Sequence, residues 1–261
     1  MADLLSYLKP KRSWLQFRLR TLLLLVVVAA MPCVWLAWKM DAKRQERGNV
    51  AAIEQLGGYC DYHWGGDLHP PGPEWLRKVL GEDFFTHVDE VWLDGLNDAD
   101  TAMTYVRDMT HLRSLWLTES KLTDEGLSNV EGLNGLQELE LNGTQVTDDG
   151  LKYLEGLTSL GSVTLEGTEV SDIGLKYLEG LTSLNTLLLD NTHITDSGLK
   201  CLAKLTKLEH LRITRTPVTD VGLKHLRGLT GLKVLEIHFT QTTDAGVREL
   251  QMALPGCRIK R

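Results

Sequence analysis

The sequence predicts an α/β solenoid that follows one N-terminal apolar helix. In it, strand-and-helix units stack with a parallel sheet on one side and helices on the other. Three observations carry this reading. Leucine supplies 49 of the 261 residues, about one in five, and glycine adds 24. A composition so biased argues for a periodic chain. From Val88 onward a 24-residue unit recurs seven times. Finally, Thr21 to Trp38 are 18 consecutive residues without a charge.

The N-terminal elements come first. Residues 1–20 form a basic tail, and residues 21–39 read as a transmembrane helix. As a helix, the uncharged run is about 27 Å long, close to the roughly 30 Å hydrocarbon core. Pro32 is tolerable there and would kink it. Trp14 before the run and Trp35 and Trp38 at its end suit the two interfaces. A cleaved signal peptide is the competing reading. Its apolar region usually runs about 7–15 residues and ends in small residues, whereas this run ends in Trp-Leu-Ala-Trp-Lys. Five basic residues precede the span (Lys9, Lys11, Arg12, Arg18, Arg20) and four follow it (Lys39, Lys43, Arg44, Arg47). That bias places the N-terminus in the cytoplasm and the repeats outside it. Residues 40–48 form a juxtamembrane linker.

The repeats occupy residues 88–255. The clearest unit, residues 136–159, reads LQELELNGTQVTDDGLKYLEGLTS. Within it Leu139 and Leu141 alternate inward, which is the period of a strand, while Leu151, Leu154 and Leu157 fall at helical spacing. Strands about 4.8 Å apart would stack one unit per rung, and no unit can bury its leucines alone. The pattern L-x-x-L-x-L-x-x-T resembles the leucine-rich repeat. The Thr-Asp-x-Gly-Leu segment is similar to its longer classes. The resemblance implies a curved solenoid, its parallel sheet concave and its helices convex. The basic N-terminus and single anchor extend it to bacterial single-pass membrane-anchored leucine-rich-repeat proteins.

One column is aspartate in all seven units: Asp100, Asp124, Asp148, Asp172, Asp196, Asp220 and Asp244. Each precedes the first apolar helical residue by three and suits a helix N-cap. A metal ladder is the competing reading. Capping already explains one carboxylate per rung, so no metal is expected. Lys152, Lys176, Lys200, Lys224 and Arg248 lie four residues after an Asp, a spacing for ion pairs along a helix. Leucine-rich repeats often carry Asn just after the strand. Here Thr144, Thr168, Thr192, Thr216 and Thr240 stand instead, so a weaker threonine ladder is expected.

The solenoid must be closed at both ends. Residues 49–87 read as the N-terminal cap, with Tyr59–Tyr62 as an edge strand and a helix from Glu74 to Leu80. Residues 256–261 read as a terminal strand whose charges discourage further pairing.

Function is expected on the exposed strand positions. The central column runs Trp92, Trp116, Glu140, Thr164, Leu188, Arg212, Glu236. Its neighbours add Glu138, His210, Glu166, Asp190, His238 and Arg215. Unlike the core columns, these vary from rung to rung, as a recognition surface requires. Trp and Arg are also enriched at binding hot spots. Trp92 and Trp116 also fit a cross-strand pair or packing of the N-terminal cap.

Charge narrows the alternatives. The formal net charge of −7 combines +6 over residues 1–48 with −13 over the rest. An acidic body lacks the basic face that a nucleic-acid binder needs. No catalytic motif or zinc spacing occurs, so neither enzymatic activity nor a cofactor is expected. The best local cluster, Cys60, Asp61, His63, Asp67 and His69, fits a polar cap loop better than a metal site. The expected function is a membrane-anchored protein that binds a protein partner on its concave face. Two alternatives stand beside it. One is a substrate-selecting adaptor of a ubiquitin-ligase-like complex, since similar repeats occur in F-box proteins. The other is a structural envelope protein.

Overall fold

The computed structural model of the chain describes residues 12–62 and 74–261. The chain divides into two units, Met1–Gln45 and Glu46–Arg261. Helix α1 (Arg12–Leu56) contains Pro32 and does not stop at Lys39. The segment expected as a linker is therefore helical, in keeping with its Ala, Lys, Arg, Gln and Glu content. Among the described residues, no helix is long and apolar enough to cross a membrane. The expected span falls partly outside that description, because nothing is described of the side chains of residues 12–20, 22, 23, 25 and 27–29.

α1 ends at a glycine. Gly57 adopts φ +100°, which a residue without Cβ reaches at little cost. The N–H groups of Gly57 and Gly58 donate to the carbonyls of Glu54 and Ile53. This satisfies two of the helix's last carbonyls.

The second unit is built on a nine-stranded sheet whose strands lie in chain order. β1 (Tyr59–Asp61) pairs antiparallel with β2 (Glu90–Trp92). Every later pairing is parallel, through β3 (Ser114–Trp116), β4 (Glu138–Glu140), β5 (Ser162–Thr164), β6 (Thr186–Leu188), β7 (His210–Arg212), β8 (Val234–Glu236) and β9 (Arg258–Lys260). The register is one 24-residue unit per rung, so Leu115, Leu139, Val163, Leu187, Leu211, Leu235 and Ile259 form one file. From Leu115 to Leu235 that file is fully buried. The two residues flanking each of these point to the opposite face, called the open face below.

The return segments are tighter than the expected α-helices. α2 (Glu74–Leu80) and α3 (Ala99–Val106) precede them. α4 (Asp124–Leu127) and α5 (Asp148–Leu151) then make a single turn each and pass into 3₁₀ turns. α6 (Leu175–Leu178) is equally short, and the next rung is 3₁₀ throughout, Gly198–Lys204. α7 (Asp220–Leu223) repeats the short pattern, and α8 (Asp244–Ala253) closes the series at ten residues. The cause is the spacing itself. Leu151, Leu154 and Leu157 recur every three residues, which matches the 3.0-residue period of a 3₁₀ turn better than 3.6.

Candidate functional site

The invariant aspartates belong to the helix side, and their role differs from the expected N-cap. The cap positions are held by Thr123, Thr147, Thr219 and Thr243, one residue earlier. Six of the seven carboxylates reach into the following rung. Asp148, for example, accepts from Ser171 N at 2.7 Å, Ser171 Oγ at 2.5 Å and Gly174 N at 2.9 Å. Asp100, Asp124, Asp172, Asp196 and Asp220 each bind the equivalent threonine N–H and hydroxyl. Each carboxylate thus holds the residue that begins the return segment of the next unit instead of capping its own helix, and so bridges two rungs. Asp244 pairs instead with Arg261.

The glycine column follows from this. A Cβ on Gly174 would lie 2.5 Å from Asp148 Oδ1 and 2.9 Å from Leu151 Cδ1, and the same clash recurs down the column. The Thr243 hydroxyl, then its N–H, hold the Asp220 carboxyl below its usual pKa. Among the described residues the expected Asp-to-Lys pairs along the helices do not form, since the carboxylates are already engaged. Lys152 lies over the Tyr153 ring instead, 4.9 Å from its centroid. The expected threonine ladder is also absent. Thr144, Thr168, Thr192, Thr216 and Thr240 each donate within their own rung, to the carbonyl three residues back.

The open face divides into two halves. In the first, Trp92 and Trp116 lie opposite one another and their rings stack, 4.4 Å apart and 8° from parallel. Tyr59, brought opposite Trp92 by the antiparallel pairing, adds a third ring at 5.3 Å. Beside this row runs a second: Asp61, Glu90, Ser114 and Glu138. Glu140 continues the aromatic row after Trp116. Among the described residues, the hydrogen bonds of the carboxylates here come from hydroxyls and backbone N–H groups. Ser114 Oγ and Thr118 Oγ1 stand 3.4 Å from Glu138 and Glu140. Asp94 accepts from Thr118 N and Asp61 from Tyr62 N.

The second half neutralises itself. Arg212 pairs with Glu166 at 2.9 Å and with Asp190, and Lys260 pairs with Glu236. Burial opposes the charge on Arg212, but Asp190, Glu166 and Glu236 outweigh it and raise its pKa. The Lys260 hydrogen bond lowers that of Glu236. Asp190 is 3% exposed and accepts from Thr214 N at 2.6 Å. The structure therefore corrects the expectation that it faces a partner, because its oxygens are committed to the next rung and to Arg212. His210 is exposed and His238 half-buried.

One more column distinguishes the rungs. Glu119, Asn191, Arg215 and Phe239 adopt φ of 53–57°, where other rungs have Gly95, Gly143 and Gly167. Asn tolerates that conformation, but Glu, Arg and Phe pay for it. Arg215 lies over the exposed Phe239 ring, 5.5 Å from its centroid.

The cap cluster does not assemble among the described residues. Cys60 is buried while Asp61 is exposed, so neighbours on β1 point to opposite faces. His63, Asp67 and His69 lie outside the described residues. Burial, then Glu54, pushes the Cys60 thiol up to about 12. Sequence reasoning missed Tyr59 as a member of the aromatic row. Only an antiparallel register of β1 places it there, and nothing in the repeat period signals that.

The comparisons agree with this architecture. A family model described as "Leucine Rich repeat" matches residues 108–130, 134–154, 180–203 and 204–226. Among solved structures the chain is similar to internalin C2 of Listeria monocytogenes. The two share 25% identity at a TM-score of 0.55, over 68% of this chain and 70% of that one. It also shares the fold of a leucine-rich-repeat protein of Leptospira interrogans, at 22% identity and a TM-score of 0.50. That match covers 60% of this chain and 39% of the other. No curated protein matches the sequence.

Proposed function

We propose that this chain, a member of the leucine-rich-repeat family, is a non-enzymatic binding protein that takes a protein partner on the open face of its sheet. One observation carries the reading. The file of residues beneath the sheet and the Asp and Gly columns behind it barely change between rungs. The open-face columns change at almost every rung and include two stacked tryptophans. Uniform positions serve stacking, and varied positions are free to serve recognition.

The same reading holds the protein at a membrane through residues 21–39, with the repeats on the extracytoplasmic side. Supporting it, Leu24, Val26, Met31, Val34, Trp35 and Trp38 are exposed, and five basic residues precede the span against four after it. A photocrosslinking amino acid placed at Thr186 on the open face should give adducts in intact cells. The same group at Lys200, on the helix side, should give none. Adducts from Lys200 alone would overturn the face assignment. A ligase subunit among the adducts would favour the adaptor reading, and adducts confined to envelope polymers the structural one.

A further inference from the structure

The first half of the open face has a composition that the second half lacks. Its aromatic row, Tyr59, Trp92 and Trp116, is bordered by Asp61, Glu90 and Glu138 on one side and Asp94 on the other, and it ends at Glu140. Among the described residues none of these five carboxylates has a cationic partner. The second half, by contrast, matches its acids internally, Arg212 with Glu166 and Asp190 and Lys260 with Glu236. Among the described residues, nothing balances the first half in the same way.

The aromatic geometry narrows the cation. Trp92 has Tyr59 and Trp116 as ring neighbours, whereas Trp116 has one ring neighbour and, on the next rung, Glu140. A ring face beside a carboxylate suits a flat guanidinium, which stacks on aromatics and pairs with two carboxylate oxygens at once. Adjacent rungs lie about 4.8 Å apart and alternate residues of an extended chain about 6.8 Å apart. An extended segment can therefore present several such groups along the two rows. The next position in the row supplies a second, independent sign. Thr164 follows Glu140 and is 4% exposed, and among the described residues its hydroxyl has no hydrogen-bond partner. A buried hydroxyl without a partner is costly, and this one lies directly opposite Glu140 in the strand pairing.

We propose that the Tyr59–Trp92–Trp116–Glu140 row binds an extended, arginine-containing segment of a partner protein. The proposal rests on the open face being the binding face. A neutral oligosaccharide would also stack on the rings, but it would leave five carboxylates unbalanced, so the charges favour the arginine segment.

The test uses the full chain in nonionic detergent and a fluorescent peptide of alternating Arg and Gly. Binding is read by anisotropy, beside the same peptide with citrulline in place of arginine. The arginine peptide should bind, and binding should weaken as salt rises to physiological strength. Citrulline, which keeps the shape and loses the charge, should bind at least tenfold more weakly. A combined Glu90→Gln, Glu138→Gln, Glu140→Gln variant should lose about tenfold in affinity. Removing the same charge elsewhere, by Glu125→Gln, Glu131→Gln and Glu155→Gln, should change it less than twofold. Trp116→Leu should cost roughly fivefold to tenfold while the circular-dichroism melt is unchanged. Equal losses from both charge triples would overturn the proposal by showing general attraction to an acidic body. So would equal binding of the citrulline peptide, or saturable binding of an N-acetylglucosamine tetramer without binding of the arginine peptide. None of those results touches the crosslinking contrast between Thr186 and Lys200, so failure here is distinguishable from failure of the binding-face reading.

Discussion

The two sides of the sheet obey opposite rules. Behind it, an aspartate of one rung binds the N–H and hydroxyl of the next, and a glycine leaves room for that carboxylate. The arrangement repeats from Asp100 to Asp220 with little change. On the open face no two neighbouring rungs carry the same set of residues. Repetition therefore marks the positions that hold the stack together, and departures from it mark those that stacking leaves free. Breaking a repeated position should cost stability, and breaking a varied one should not.

The largest effect is expected at the glycine column. Gly174→Ala drives a Cβ into Asp148 and Leu151 and should cost about 3 kcal/mol in urea unfolding, the upper end for overpacked sites. Next comes the carboxylate itself. Asp148→Ala removes the acceptor for two N–H groups and a hydroxyl and should cost about 1–3 kcal/mol. Asp244 makes no contact of this kind, so Asp244→Ala should cost less than about 0.5 kcal/mol, the usual range for a surface change. Equal costs at the two positions would break the argument, since they share the same place in the repeat.

Two smaller predictions have the opposite sign. Arg215 sits at φ +57°, so Arg215→Gly relieves the backbone and should stabilise by roughly 0.5–1 kcal/mol. Thr164→Val removes an unpaired buried hydroxyl and should raise the melting temperature rather than lower it.

The smallest effect is on pH dependence. The carboxyls of Asp220 and Glu236 are held below their usual values of 3.8 and 4.5. Each takes up a proton less readily when folded than when unfolded. Their contribution is present above those values and is lost as pH falls from them through the lower values of the folded state. The urea midpoint should therefore drop as pH falls below about 5. The double variant Asp220→Asn, Glu236→Gln should flatten that limb.

Much of this was legible in the sequence because a period constrains what it repeats. The 24-residue unit fixes strand register, so Leu139, Leu187 and Leu235 fall in one buried file, and Trp92 and Trp116 are neighbours by arithmetic alone. What was not legible depends on contacts one whole unit apart. An aspartate three residues before an apolar helical position looks the same whether it caps its own helix or reaches into the next rung. Only the stacking distance shows that Thr147 and Ser171 lie within reach of Asp124 and Asp148. Asp190 read as an exposed strand-end residue because alternation says nothing about a neighbour such as Arg212 folding over it. Tyr59 stood outside the repeat altogether, and its place beside Trp92 follows from one antiparallel pairing.

The most direct test is whether the open face is free of structural duty. A chain carrying Glu90→Ala, Glu138→Ala, Thr186→Ala and His210→Ala together changes four rungs of that face and no rung-bridging bond from an Asp–Thr pair. Its urea-unfolding free energy should stay within about 0.5 kcal/mol of the parent. A loss as large as that of Asp148→Ala would contradict the account, because the varied face would then be part of what holds the solenoid together.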